Sequence, residues 1–255
     1  MNDNNFLMQT INISKYYGSI QALKGVSIDV GYNEILGLVG DNGAGKTSLI
    51  KTMTGVQQPD SGEIYWKGKK IINLDVARAR QLGITTVFQD KALSPQHPIW
   101  RNIFMGRELT NKLGLINIKK QKEETLKLMK EKMSFTSATI DTDTIVGFMS
   151  GGEQQGVAIS RALYFDSELI ILDEPTTGLS LTESKKVLDF VISIKKEGKS
   201  VVFISHNLFH AHSVADRIVI IDRGKIVGNF IKDSLPLSEL EKKMYLIASD
   251  EHATI

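Results

Sequence analysis

The 255-residue chain contains no cysteine. Disulfide scaffolds, thiolate zinc sites, iron–sulfur clusters and cysteine nucleophiles are thereby excluded. Long apolar runs are missing too: none approaches the roughly 18 residues that a membrane-spanning helix needs. Net charge is small, because 31 Lys plus Arg stand against 29 Asp plus Glu to give +2. That balance does not suit a nucleic-acid binder acting through bulk charge, and no nucleic-acid partner is expected. Residues 1–5 have neither a basic region nor an apolar core, so no secretory leader is expected. Repeats, low-complexity tracts and Pro/Gly linkers are absent as well, so residues 1–255 are expected to form one unit. What is present is ordinary for a globular protein: 42% hydrophobic and 24% charged residues, with length enough for a large core.

Short apolar runs recur along the chain at Ile35–Val39, Ile84–Phe88, Leu169–Leu172, Val201–Ile204 and Ile218–Ile221. Each has strand length and most do not alternate, which predicts central strands of a parallel sheet buried on both faces. Helical patterns such as Leu181–Lys196 lie between them, so the core is predicted to be α/β. The first thirty residues differ. Gln9–Ile13 and Val26–Val30 alternate, predicting half-exposed strands of an antiparallel sheet. Glu63–Trp66, a turn at Lys67–Lys70 and Ile71–Ile72 predict a hairpin. Residues 95–165 carry no convincing strand, and Leu126, Met129 and Met133 recur there at helical spacing. That segment is predicted to be a helical insertion whose apolar stripe packs inward.

The strongest chemical signal is Gly40-Asp41-Asn42-Gly43-Ala44-Gly45-Lys46-Thr47, followed by Ser48. It fits the phosphate-binding pattern G-x-x-x-x-G-K-[ST], and it stands in the required context, after a strand and before a helical face of Leu49, Ile50 and Met53. Glycines let the backbone aim N–H groups at phosphate oxygens, and the helix N-terminus favours an anion. Lys46 is placed to reach the β- and γ-phosphates, and Thr47 to offer a hydroxyl to Mg²⁺. The second signal is Leu169–Leu172 ending in Asp173-Glu174-Pro175. Ligands of open α/β sheets sit beyond the carboxyl ends of strands. Asp173 is therefore expected to hold Mg²⁺ and Glu174 to act as general base toward water. The third signal, Ser150-Gly151-Gly152-Glu153-Gln154-Gln155, reads locally as a helix cap with a capping box.

Taken in this order, the three elements resemble the nucleotide-binding subunits of ATP-binding cassette (ABC) transporters, over about residues 6–231. Ser150–Gln155 resembles that family's signature, with Met149 where Leu is usual. The resemblance implies a phosphate-loop NTPase core with a mostly parallel sheet, an N-terminal antiparallel β-subdomain and an inserted α-helical subdomain at about 95–165. It implies that Gln89 contacts metal and water, that His206 contacts the γ-phosphate, and that Tyr17 or its neighbour Tyr16 stacks on adenine. It also implies two cassettes facing head-to-tail and trapping two ATP molecules, each between Lys46's loop and the Ser150, Gly151, Gly152 and Gln154 region of a second copy or a homologous cassette. His97, His210, His212 and His252 match nothing in the family and read as surface or packing positions. One departure stands out. The family's usual Ser-Ala-Leu-Asp is Thr177-Gly178-Leu179-Ser180 here, so the Asp that helps link the two sites is absent while base, metal ligands and His remain. ATP hydrolysis is expected to survive.

No membrane helices are fused to the cassette, so separate permease subunits are implied, docked on the helical insertion and the loop around Gln89, with the cassette on the inner face of the cell membrane. Gly40–Gly43, Ala92–Pro95, Phe104–Glu108 and Ser205–Asn207 are similar to the ribose/xylose/fructose class of sugar importers, which implies an indirect sugar-binding protein partner. A cassette for another solute, such as branched-chain amino acids, and a non-transport ABC ATPase are the alternatives. After residue 231 about two dozen residues follow, too few for a further regulatory domain.

Overall fold

The computed structural model describes residues 6–132, 140–234 and 236–249. Two sheets are present among them. β1 (Phe6–Tyr17), β2 (Ile20–Gly31), β4 (Ser61–Trp66) and β5 (Lys69–Ile71) form an antiparallel sheet in the order β2-β1-β4-β5. The second sheet runs β10-β9-β3-β8-β7-β6, built from β3 (Ile35–Val39), β6 (Ile84–Val87), β7 (Leu169–Asp173), β8 (Ser200–Ser205), β9 (Arg217–Asp222) and β10 (Lys225–Ile231). Every pairing in it is parallel except β10 with β9.

The central strands are buried throughout, as their unbroken apolar runs require. Alternate residues feed two cores. Ile170, Leu172, Val201 and Phe203 pack with α5 (Gly151–Tyr164), α6 (Leu181–Lys196) and α7 (Leu208–Val214). Leu169, Ile171, Val202 and Ile204 pack with α1 (Lys46–Met53), α2 (Val76–Gln81) and the antiparallel sheet. A third cluster joins α3 (Ile99–Phe104), α4 (Ile118–Lys132) and Val157 of α5, so the helical segment has apolar packing of its own. α8 (Leu237–Ser249) closes the first core through Leu240.

Three local expectations change. Strict alternation in β1 would bury Ile11 with Ile13, but Thr10 and Ile13 are buried and Ile11 is exposed. The register slips between Thr10 and Ile13, and Asn12 takes φ 52°. This β-bulge adds one residue and reverses the faces behind it; buried Thr10 satisfies its hydroxyl on the Ile28 carbonyl at 3.2 Å. The predicted stripe of α4 is also out of phase. Gln121, Thr125, Leu128 and Met129 are buried while Leu126 is 44% exposed, and Met133 lies outside the described residues. Thr125 can be buried because its hydroxyl donates to the Gln121 carbonyl one turn back, at 2.8 Å. Finally, the hairpin turn is shorter than expected: Lys67 (φ 50°) and Gly68 (φ 74°) make a two-residue turn between β4 and β5. Arg223 (φ 44°) and Gly224 (φ 79°) repeat it between β9 and β10, a hairpin the apolar runs do not reveal.

Opposite the bulge, a Cβ on Gly62 would lie 2.5 Å from the Asn12 carbonyl oxygen and 2.6 Å from that of Ile11. Gly62→Ala is therefore expected to cost about 2 kcal/mol or more in urea unfolding, whereas Asn12→Gly, at a φ that glycine accepts, stays within about 0.5 kcal/mol.

Candidate functional site

Four neighbouring parallel strands, β3, β8, β7 and β6, end on one edge of the sheet, and each delivers a singled-out residue there. β3 leads into the Gly40–Thr47 loop, β8 to His206, β7 to Asp173 and Glu174, and β6 to Gln89. Asn42, Gly43, Gly45, Lys46, Thr47, Ser48, Gln89, Asp173 and Glu174 line one cavity together with Ala22. Ala22 lies in β2 and carried no motif, and a small side chain within a strand is not a signal that a sequence offers.

Gly45 caps α1 at φ 109° and supplies no side-chain cap, so the first-turn N–H groups of α1 face the loop without a side-chain acceptor. Gly40 serves space instead: a Cβ there would lie 2.2 Å from the Ile221 carbonyl oxygen of β9. The turn missed between β9 and β10 braces the loop, since Gly224 N–H donates to the Ala44 carbonyl at 2.9 Å and Lys24 N–H to the Gly224 carbonyl at 2.8 Å. Asp41 and Ala44 line a second hollow on that side with Asp222 and Arg223. Lys46 Nζ donates to the carbonyls of Gly40 (2.6 Å) and Asp41 (2.9 Å). Burial lowers its pKa, against the pull of Glu174, Asp173 and Asp41.

Burial and then Glu174 push the Asp173 carboxyl above its ordinary value, a condition that a bound divalent cation relieves. No group of three or more His, Cys, Asp or Glu able to hold a metal exists among the described residues. A cation here must use hydroxyl, amide and carboxylate oxygens, and Thr47, Gln89 and Asp173 are such a set in one cavity.

Glu174 sits at φ 51°, an uncommon conformation for a side-chain-bearing residue, and is buried. Its carboxylate accepts from His206 N–H at 2.9 Å and Thr177 Oγ1 at 3.1 Å, and meets His206 Nδ1 at 2.8 Å. The structure thus directs the His206 ring onto Glu174, with Nε2 left as the outward nitrogen. His210, read from sequence as a packing or surface position, bonds through Nδ1 to Thr176 Oγ1 at 2.9 Å and ties α7 to the loop after β7. Tyr17 approaches the loop, its hydroxyl 3.4 Å from Ser48 Oγ and 2.6 Å from Gln57 Oε1. Tyr16 is held by its backbone, N–H to Asp60 at 2.6 Å.

The signature residues are elsewhere. Ser150 caps α5 with the expected capping box, accepting from Glu153 N–H at 3.3 Å while Glu153 accepts from Ser150 N–H at 2.9 Å. Gln154 turns back to the carbonyls of Met149 (3.1 Å) and Val146 (3.3 Å). Gly151 and Gly152 pack against Leu179 and Glu183, where a Cβ on either would come within 2.9 Å. None of these four residues lines the phosphate-loop cavity.

This architecture defines an ATP-binding-cassette protein, and the comparisons agree. The ABC transporter family model matches residues 23–177, and the chain belongs to that family. Over 238 residues it is 42% identical to a xylose/arabinose import ATP-binding protein of Sulfolobus acidocaldarius, covering 93% of each chain. It is 41% identical over 209 residues to a fructose import ATP-binding protein of Rhizobium meliloti, covering 80% of each. A ribose import ATP-binding protein of Caldanaerobacter subterraneus is 32% identical, and there the chain spans 49% of the relative's length. Among solved structures, a nucleotide-free ATP-binding cassette from an ABC transporter superposes with TM-score 0.77 at 27% identity, covering 96% of both chains. No helix among the described residues is long and apolar enough to cross a membrane.

Burial, and then His206, lower the pKa of His210. The unfolded chain therefore binds a proton that the folded chain resists, and stability falls as pH drops below the ordinary value of about 6.5 toward the depressed one. His210→Gln is expected to shrink the loss of Tm between pH 7.5 and pH 5.5, measured by thermal unfolding.

Proposed function

We propose that the chain is the ATP-hydrolysing subunit of an importer for a sugar of the ribose, xylose or fructose kind, working as a head-to-tail pair beneath separate membrane permease subunits on the cytoplasmic face. The observation that carries this reading is the convergence of phosphate loop, Gln89, Asp173 and Glu174 in one cavity, with the signature held outside it. A cassette so built cannot bring its own Ser150–Gly152 to its own Lys46, so a second cassette completes each site. Phe148 and Leu181, immediately before the signature and just after the Ser180 cap, are 89% and 88% exposed, apolar surface that a partner would cover. The sugar comes from the names of the relatives, which span most of the chain.

In this reading the donors at the start of α1 and Lys46 hold the β- and γ-phosphates of ATP, and Tyr17 stacks on the base. Thr47, Gln89 and Asp173 hold Mg²⁺, which when bound supplies charge neutralisation at the phosphates. Glu174 takes a proton from the attacking water. His206 orients that carboxylate through its N–H and Nδ1, and its outward Nε2 is the group free to meet the γ-phosphate. Ser150, Gly151, Gly152 and Gln154 belong to the neighbouring chain's nucleotide. Closure then rewards ATP over ADP, because only ATP reaches both surfaces.

Glu174→Gln is expected to bind ATP and to lose about 10²- to 10⁴-fold in turnover, the scale of a lost general base. The same variant is expected to dimerise on ATP addition in sedimentation runs; turnover near wild type would overturn the base, and a monomer at saturating ATP would overturn the paired site.

A further inference from the structure

The N-terminus of α5 is gripped from both chain segments that lead away from the Gln89 and Glu174 side of the nucleotide cavity. From the loop after β6, Lys91 Nζ donates to the Gly151 carbonyl at 3.2 Å. From the first turn of α6, which follows the loop after β7, Glu183 Oε1 accepts from Gly152 N–H at 3.1 Å. Glu183 also closes a capping box on its own helix: Ser180 N–H (3.1 Å) and Ser180 Oγ (2.8 Å) donate to Oε2, and Glu183 N–H returns a bond to Ser180 Oγ at 3.3 Å. One carboxylate thus joins the starts of α5 and α6, packed so closely that a Cβ on Gly152 would lie 2.9 Å from Glu183 Cβ. Among the signature residues this contact uses Gly152, the same residue assigned above to the second chain's nucleotide.

We propose that Glu183 is a positioning residue that carries the placement of the Glu174 loop to the signature of the same chain, and so links the site a chain hydrolyses with the site it completes. Ser180, standing where the family usually has Asp, takes part through its backbone N–H, which donates to Glu183 Oε2 at 3.1 Å whatever side chain stands there. The carboxylate is held ionised by Ser180 and Gly152 donors, its pKa pulled down to about 2, so the tie persists across physiological pH. Strand β7, Glu174, the turn at Thr177–Leu179, Ser180, Glu183 and Gly152 form one continuous path of bonds and contacts. A shift of Glu174 at one nucleotide therefore moves the signature surface offered to the other.

The proposal rests on the paired-cassette reading, and its test is made in the Glu174→Gln background, where ATP drives dimerisation without turnover. Adding Glu183→Ala is expected to raise the ATP concentration for half-dimerisation about tenfold. Adding Ser180→Ala removes the side-chain cap of α6 but leaves both backbone donors for the carboxylate; it is expected to cost similar thermal stability and to shift that concentration less than twofold. Equal shifts in the two variants, no shift with Glu183→Ala, or easier dimerisation with it would each overturn the positioning role. Failure of Glu174→Gln alone to dimerise would instead refute the paired site, and the proposal with it.

Discussion

Backbone donors at the start of a helix must be met by something, and the two glycine-rich helix starts of this chain answer that demand in opposite ways. α1 begins on Gly45, with no side-chain cap, so its donors are kept for a ligand. α5 begins on Ser150, and its donors are shared among Ser150, Glu153 and Glu183. Both are anion-friendly surfaces, but one is open and the other is already organised by carboxylates of its own chain. The division of labour between phosphate loop and signature follows from that difference in capping.

The sheet turns this local chemistry into a site. Because β3, β8, β7 and β6 are neighbours and parallel, their carboxyl ends present loop, His206, acids and Gln89 side by side, though these residues are spread from position 40 to position 206. Burial of the strands on both faces fixes their register, and the register fixes the edge. The antiparallel β9–β10 hairpin contributes from the other direction by pinning Ala44 through Gly224.

Much of this was legible in the sequence wherever one residue pattern has one physical use. Four of the five apolar runs became strands buried along the run, while Ile84–Phe88 became the edge strand β6 with Thr85 and Thr86 half-buried; Leu181–Lys196 became α6 with the same bounds, and Ser150–Glu153 became the expected capping box. What was illegible depends on partners distant in sequence. The bulge at Asn12 needs Gly62 across the sheet, and the stripe of α4 shifts because Thr125 can satisfy itself on Gln121. β10 escapes notice because Gly228 interrupts it and its turn is Arg-Gly rather than Asn-Gly. His210 carries no motif, and only folding places it on Thr176. Ser180 was legible as a departure, but the Ser-x-x-Glu spacing that makes it a cap acquires its second meaning only when Gly152 is beside Glu183.

That second meaning bears on how the signature glycines are understood. A glycine near a phosphate is usually explained by the backbone's need to approach the anion. Here Gly151 and Gly152 are also constrained from behind, because Leu179 Cδ2 and Glu183 Cβ each leave 2.9 Å for a Cβ that would need more. A side chain at position 152 would push Glu183 and the start of α6 away and break the Gly152 N–H contact even with no nucleotide in the system. Loss of function at that position therefore combines two effects, a blocked phosphate surface and a displaced loop after Glu174. Only a change that removes the Glu183 carboxylate while keeping Gly152 separates them, since it leaves the phosphate-facing backbone bare and cuts the tie alone.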